Sequence, residues 1–152
     1  MSGGEKQTFK IRRLDISDKT KGYIELLSQL TVAGSLTDEE FDQRFKEITS
    51  YGDDHLICVI EDVSSGKIAA TGSVMIEKKF LRNCGKAGHI EDVVVDTEFR
   101  GKHLGKQVVE FLMEHCRAMG CYKVMLDCSL ENKGFYEKCG LVNKAIQMSK
   151  YL

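Results

Sequence analysis

His89-Ile90-Glu91-Asp92-Val93-Val94-Val95, followed after Asp96 to Phe99 by Arg100-Gly101-Lys102-His103-Leu104-Gly105-Lys106, is the stretch that decides the fold. Val93, Val94 and Val95 are β-branched residues in succession, which predicts a strand buried on both faces, running over 89–96. A basic, glycine-punctuated loop follows. After it, Leu104, Val108, Phe111, Leu112 and Met119 recur at helical spacing, and Gly120 supplies the stop. A helix N-terminus presents unpaired N–H groups and partial positive charge. With Gly101 and Gly105 for backbone freedom and Arg100, Lys102 and Lys106 for charge, the loop predicts a phosphate or pyrophosphate site. An ordinary strand-to-helix turn with solvated cations fits the same spacing. Neither GxxxxGK nor GxGxxG is present, so ATP and NAD sites have no support.

Upstream, Thr8 to Leu14 reads as a strand. Ser17 or Asp18 caps a helix carrying Tyr23, Ile24, Leu27 and Leu30. Thr37 caps another, with Glu40 as its reciprocal capping-box partner and Phe41, Phe45 and Ile48 as its stripe. His55 to Glu61 and Lys67 to Lys78 read as strands joined at Ser64-Ser65-Gly66, and Gly85 to Gly88 as a turn. Downstream, Tyr122 to Cys128 alternates as a strand, Asn132 to Lys138 forms a short helix, and Leu141 to Tyr151 reads as a weaker terminal strand. The order β-α-α-β-β-β-α-β-α-β predicts an α/β (α+β) domain over 1–152. Its sheet is mixed and largely antiparallel, with helices on both faces, and 1–7 is expected to be disordered.

With 30% charged and 42% hydrophobic residues, the chain reads as globular rather than disordered. A net charge of −1 lacks the basic excess that phosphates attract, so no nucleic-acid partner is expected. The longest apolar runs, such as Leu56 to Ile60, fall far short of the ~20 residues that span a bilayer. Met1 to Asp15 is polar and basic, which does not resemble a secretion signal. Six cysteines form no CxxC pair and no metal-ligand spacing with histidine. They are read as free thiols of a cytoplasmic protein, with no metal.

Three further features carry candidate chemistry. Glu91 and Asp92 are adjacent, so on a regular strand they point to opposite faces, and one acid must face inward or meet a partner. Both are therefore candidate bases or amine-binding groups, or else both sit at an exposed strand end. Tyr136 is either a core residue or a hydroxyl donor. Lys78, Lys79, Arg82 and Lys86 form a basic cluster that is either a solvated edge or an anion site.

Together these pieces resemble the GNAT superfamily of N-acetyltransferases, whose coenzyme motif is Q/R-x-x-G-x-G/A. Arg100 and Gly105 match its ends, and His103 stands where the motif has its first glycine. His103 must then adopt the backbone that glycine would have taken. Gln29-Leu30-Thr31 with Gly34, Gly88 to Val93, Cys121-Tyr122-Lys123, and Asn132 with Phe135 to Gly140 extend the likeness from Phe9 to Met148. Over that length the chain resembles the glucosamine 6-phosphate N-acetyltransferases, most of all the plant members.

That resemblance implies transfer of acetyl from acetyl-CoA to D-glucosamine 6-phosphate, a step toward UDP-N-acetylglucosamine, in a homodimer whose sites use both subunits. It implies that Val93, Val94 and Val95 bind the pantetheine arm by backbone, and that Gly101 to Lys106, beside Arg100, hold the pyrophosphate. Asn132 and Tyr136 would also touch the coenzyme. Glu91, Asp92 and the Asp127 carbonyl would meet the sugar amine. Thr31, Lys79, Arg82, Tyr122 and Lys123 would bind sugar or phosphate. Near the C-terminus Lys150 or Tyr151 stands where the family has a substrate-binding arginine. Direct transfer without an acyl-enzyme follows, with Tyr136 protonating the departing thiolate. Two rivals stand beside it: a same-fold acetyltransferase for peptides or polyamines, and a non-catalytic acyl-CoA-binding module.

Overall fold

A computed structural model describes residues 8–152, and the expectation for 1–7 lies outside it. Strands β1 (Phe9–Arg13), β2 (His55–Asp62), β3 (Lys67–Lys78), β4 (Lys86–Val95) and β5 (Cys121–Met125) form one sheet in that order. β1 to β4 pair antiparallel, while β4 and β5 are parallel. The parallel pair is joined by the long crossover helix α4 (Leu104–Ala118), as parallel neighbours require.

Helices cover both faces, and the triple valine shows why. Val93 and Val95 pack into the cluster built on α4, with Leu104, Val108, Leu112 and Cys116. Val94 turns to the other face, against Tyr23 and Leu26 of α1 (Tyr23–Leu27) and Phe41 of α2 (Asp38–Thr49). The α2 cap is the expected box. The Glu40 N–H donates to Thr37 Oγ1 at 3.1 Å, and the Thr37 N–H donates to Glu40 Oε2 at 2.8 Å.

The structure departs from the expectations in four places. The first predicted helix splits into a 3-10 turn (Ile16–Thr20) capped by Asp15 and then α1, because Gly22 between them holds φ 83°. Asp18 is not the N-cap but the reciprocal member of the Asp15 capping box, accepting the Asp15 N–H at 2.7 Å. It is fully buried, and Arg12 clasps its carboxylate through two bonds of 2.8 Å, the pairing a buried charge needs. The predicted turn at Gly85 to Gly88 falls inside the pairing of β4, and the reversal lies earlier at α3 (Leu81–Cys84). In that single turn Arg82, Asn83 and Cys84 hold φ of 57°, 55° and 59°. Finally, residues 141–152 form no strand. Val142, Ile146, Met148 and Tyr151 are exposed there, and a strand without a hydrogen-bonding neighbour has nothing to stabilise it.

Gly72 of β3 and Gly88 of β4 are where sheet and α4 approach tightly, and a methyl group on Gly88 would lie 2.3 Å from Cys116 Sγ. A methyl group on Gly72 would lie 2.6 Å from Val108 Cγ1 and 3.2 Å from both Leu112 Cδ1 and Val93 Cγ2. Gly72→Ala is expected to cost about 1–3 kcal/mol by overpacking. Combined with Val108→Ala the costs should be less than additive, which urea denaturation midpoints will measure.

Candidate functional site

The site is built on a strand that loses one neighbour. β4 pairs with β5 only from Lys86↔Cys121 to His89↔Met125. It continues beside β3 as far as Val95↔Ala70. From Ile90 onward, one edge of β4 therefore faces an opening rather than a strand. A bulge accompanies the split: register passes from Ser73↔Glu91 to Thr71↔Val94, and Asp92 takes φ 53°. The bulge breaks the alternation that would send Glu91 and Asp92 to opposite faces. Both are exposed, and both line the same cavity.

That cavity, of about 490 Å³, is lined by Glu91, Asp92, Asp127 and Tyr136 among others. Glu91 has its pKa raised above the ordinary glutamate value, by partial burial first and then by the negative charges of Asp92 and Asp127. Burial also raises the Tyr136 hydroxyl, so it stays protonated at neutral pH. A strengthened carboxylate base and a retained phenolic proton therefore share one wall.

A second, longer groove of about 860 Å³ runs along Val93, Val94 and Val95 to the start of α4. Arg100, Gly101, His103, Leu104, Gly105 and Lys106 line it, and Lys102 does not. His103 is the N-cap of α4 at φ 62°, the left-handed backbone expected of a residue in a glycine position. Its side chain makes no cap bond, so the first-turn N–H groups are not occupied by it. Gly101, at φ 80°, is left-handed as well. Gly105 has a different task from the flexible one expected. It is helical, and an added Cβ would meet Phe135 Cζ at 3.2 Å, so it lets α5 (Leu130–Lys138) close against α4. Asn132 and Tyr136 of α5 form the far wall, and Leu30, Val93, Asn132 and Tyr136 line both compartments.

The remaining expected residues lie elsewhere. Lys79, Arg82, Tyr122 and Lys123 gather at the opposite end of β4 and line neither compartment. The Arg82 guanidinium lies 5.3 Å from the Tyr122 ring centroid and the Lys123 ammonium 5.7 Å. Lys79 Nζ is 3.0 Å from Glu77 Oε1, an oxygen it shares with His89 Nε2 at 2.8 Å. Thr31 is exposed beside Leu30, and Lys150 and Tyr151 are exposed on the terminal segment. From that segment Gln147 reaches the smaller cavity. Nothing in the sequence singled it out. Leu30 did carry a signal, since it belongs to the quoted Gln29-Leu30-Thr31.

The family model for the acetyltransferase (GNAT) family matches residues 21–141. The chain belongs to the GNAT acetyltransferase family. Among curated relatives, it is 81% identical over 145 residues to a glucosamine 6-phosphate N-acetyltransferase of Arabidopsis thaliana, covering 95% of this chain and 97% of that one. It is 48% identical over 150 residues to glucosamine 6-phosphate N-acetyltransferase 1 of rice, covering 99% and 91%. The crystal structure of the Arabidopsis glucosamine-6-phosphate N-acetyltransferase superposes with a TM-score of 0.94, at 81% identity, over 95% of this chain and 99% of that chain. No helix among the described residues is long and apolar enough to cross a membrane.

In this GNAT chain, the charge of Asp92 raises the pKa of Glu91, and a general base works only when deprotonated. Removing that charge must therefore lower the pH at which Glu91 deprotonates. Asp92→Asn, which tolerates the left-handed backbone, is expected to move the acid-side inflection of kcat/KM to lower pH. An unmoved inflection in acetyl-transfer profiles would assign the titration to another group.

Proposed function

We propose that this chain is an N-acetyltransferase that moves the acetyl group of acetyl-CoA onto the amine of D-glucosamine 6-phosphate. The observation that carries the reading is a junction of two compartments at Leu30, Val93, Asn132 and Tyr136, in a chain 81% identical to an Arabidopsis protein of that name. The groove suits a long anionic coenzyme. Its pantetheine arm would pair with the open edge of β4 at Val93, Val94 and Val95, as an added strand does. Its pyrophosphate would meet Gly101 to Lys106, with Arg100 and Lys102 supplying further positive charge. Asn132 would contact it from α5.

The smaller cavity suits the amine. Glu91 or Asp92, directly or through water, and the Asp127 carbonyl would take up or orient its protons. The amine then attacks the thioester carbon, and backbone N–H groups near Val93 stabilise the oxyanion. The C–S bond breaks, and Tyr136 gives its proton to the leaving sulfur. The product would enter UDP-N-acetylglucosamine synthesis.

We further propose a homodimer with shared sites. The acceptor cavity is lined in part by carboxylates, while Lys79, Arg82, Tyr122 and Lys123 stand outside it, where they would serve a second copy. Exposed Val142, Ile146 and Met148 beside the cavity residue Gln147 favour burial by that copy. Thr31 would complete the sugar contacts. The six cysteines are unbonded, and buried Cys58 has its thiol pushed up to about 12, which suits a reducing compartment such as the cytoplasm.

The deciding assay is release of free CoA from acetyl-CoA across glucosamine 6-phosphate, glucosamine, polyamines and peptides. The sugar phosphate is expected to give the highest kcat/KM. Lys79→Glu or Arg82→Glu should raise its KM roughly tenfold or more, the loss of a charge-assisted contact, and leave unphosphorylated glucosamine unaffected. Preference for a peptide or polyamine, or no CoA release with any amine, would overturn the reading.

A further inference from the structure

Gln29 lines the larger groove next to Leu30, which lines both compartments, and it does more than line the groove. It follows α1, its own N–H donating to the Leu26 carbonyl at 3.0 Å. Its side chain crosses to the segment that leads from β4 into the basic loop. The Thr97 N–H donates to Gln29 Oε1 at 3.1 Å. Thr97 follows Asp96 directly, just past the end of β4.

Asp96 is a firm anchor. It is only 2% exposed, accepts from the Glu98 N–H at 2.9 Å, and meets Lys67 Nζ at 3.2 Å. Its own N–H donates to the Ala69 carbonyl at 2.8 Å. The far end of the tie is less constrained. The Thr31 N–H still bonds the Leu27 carbonyl at 3.2 Å, but from Thr31 to Leu36 the chain is exposed except at Ala33. Between Leu27 and the α2 cap at Thr37, the Gln29 side chain is thus the tie that holds this strap against the sheet. Leu30, next in sequence, lines both compartments, and Thr31 follows it.

We propose that Gln29 is a positioning residue that docks the acceptor strap on the coenzyme loop, so that filling the groove prepares the acceptor cavity. Coenzyme packed along Val93 to Val95 and Gly101 to Lys106 steadies the Asp96–Thr97 segment. Gln29 passes that order to Leu30 and Thr31, and the sugar phosphate then binds a strap already in place. Coupling of this kind is reciprocal. The inference rests on the acceptor reading above, and its test separates the two.

The experiment is titration calorimetry of glucosamine 6-phosphate with and without saturating CoA, which cannot donate acetyl. The wild-type chain is expected to bind the sugar phosphate at least about fivefold more tightly with CoA present. Gln29→Met keeps the shape and removes the bond to the Thr97 N–H, and Gln29→Ala truncates the side chain. In both, the ratio should fall to within about twofold of one. The melting temperature should stay close to wild type, because Gln29 is exposed. A wild-type ratio of one, or variants that keep the wild-type ratio, would overturn the coupling. Failure of the wild-type chain to bind the sugar phosphate under either condition would overturn the acceptor reading itself, and the coupling with it.

Discussion

Loss of β5 as a partner beyond His89, while β3 still holds the other edge of β4, is the constraint on which the site depends. A strand edge in a protein interior must pair with something, because unpaired N–H and C=O groups away from water are costly. Here the edge opens into a groove, so a ligand can do what a sixth strand otherwise would. The bulge at Asp92 aims two adjacent carboxylates into one cavity and lets the valines divide between the two core faces. The split from β5 thus supplies the binding edge, and the bulge against β3 supplies the acidic lining.

Packing holds that arrangement rigid. α4 lies across the sheet with Leu104, Val108, Val109, Leu112 and Cys116 buried, so its N-terminus has little freedom to move away from the groove. Gly72 and Gly88 let β3 and β4 come close to α4, and Gly105 lets α4 come close to Phe135. Left-handed non-glycine backbone occurs at the site, at Asp92 and His103, and again in the 82–84 turn at the opposite end of β4. Each such residue costs roughly 1–2 kcal/mol, and structures retain strain of this kind where position matters more than stability.

Much of this was legible in the residues. Periodicity gave α2, α4 and β3 their places, since each carries a long regular pattern and recognisable ends. The Val93–Val95 run announced a strand buried on both sides. The loop announced an anion site and no more, and His103 at φ 62° shows how a non-glycine residue fills a glycine position. What could not be read was non-local. Asp18 looked like a surface cap because its partner, Arg12, reaches it from β1. Leu141 to Tyr151 has strand-like content but lacks a neighbouring strand within the chain. Glu91 and Asp92 share a cavity only because of a register shift against β3. Gln147 reaches that cavity from the Leu141 to Tyr151 segment, whose expected strand does not form.

In the proposed reaction the two compartments would hold both reactants at once, with no group of the protein carrying the acetyl between them. Initial rates with acetyl-CoA and glucosamine 6-phosphate both varied test this most directly. Double-reciprocal lines that intersect, with each substrate's apparent KM dependent on the other, are the predicted result. Parallel lines, with acetyl retained on the protein after acetyl-CoA alone and removed from a nucleophile such as Cys128, would contradict it.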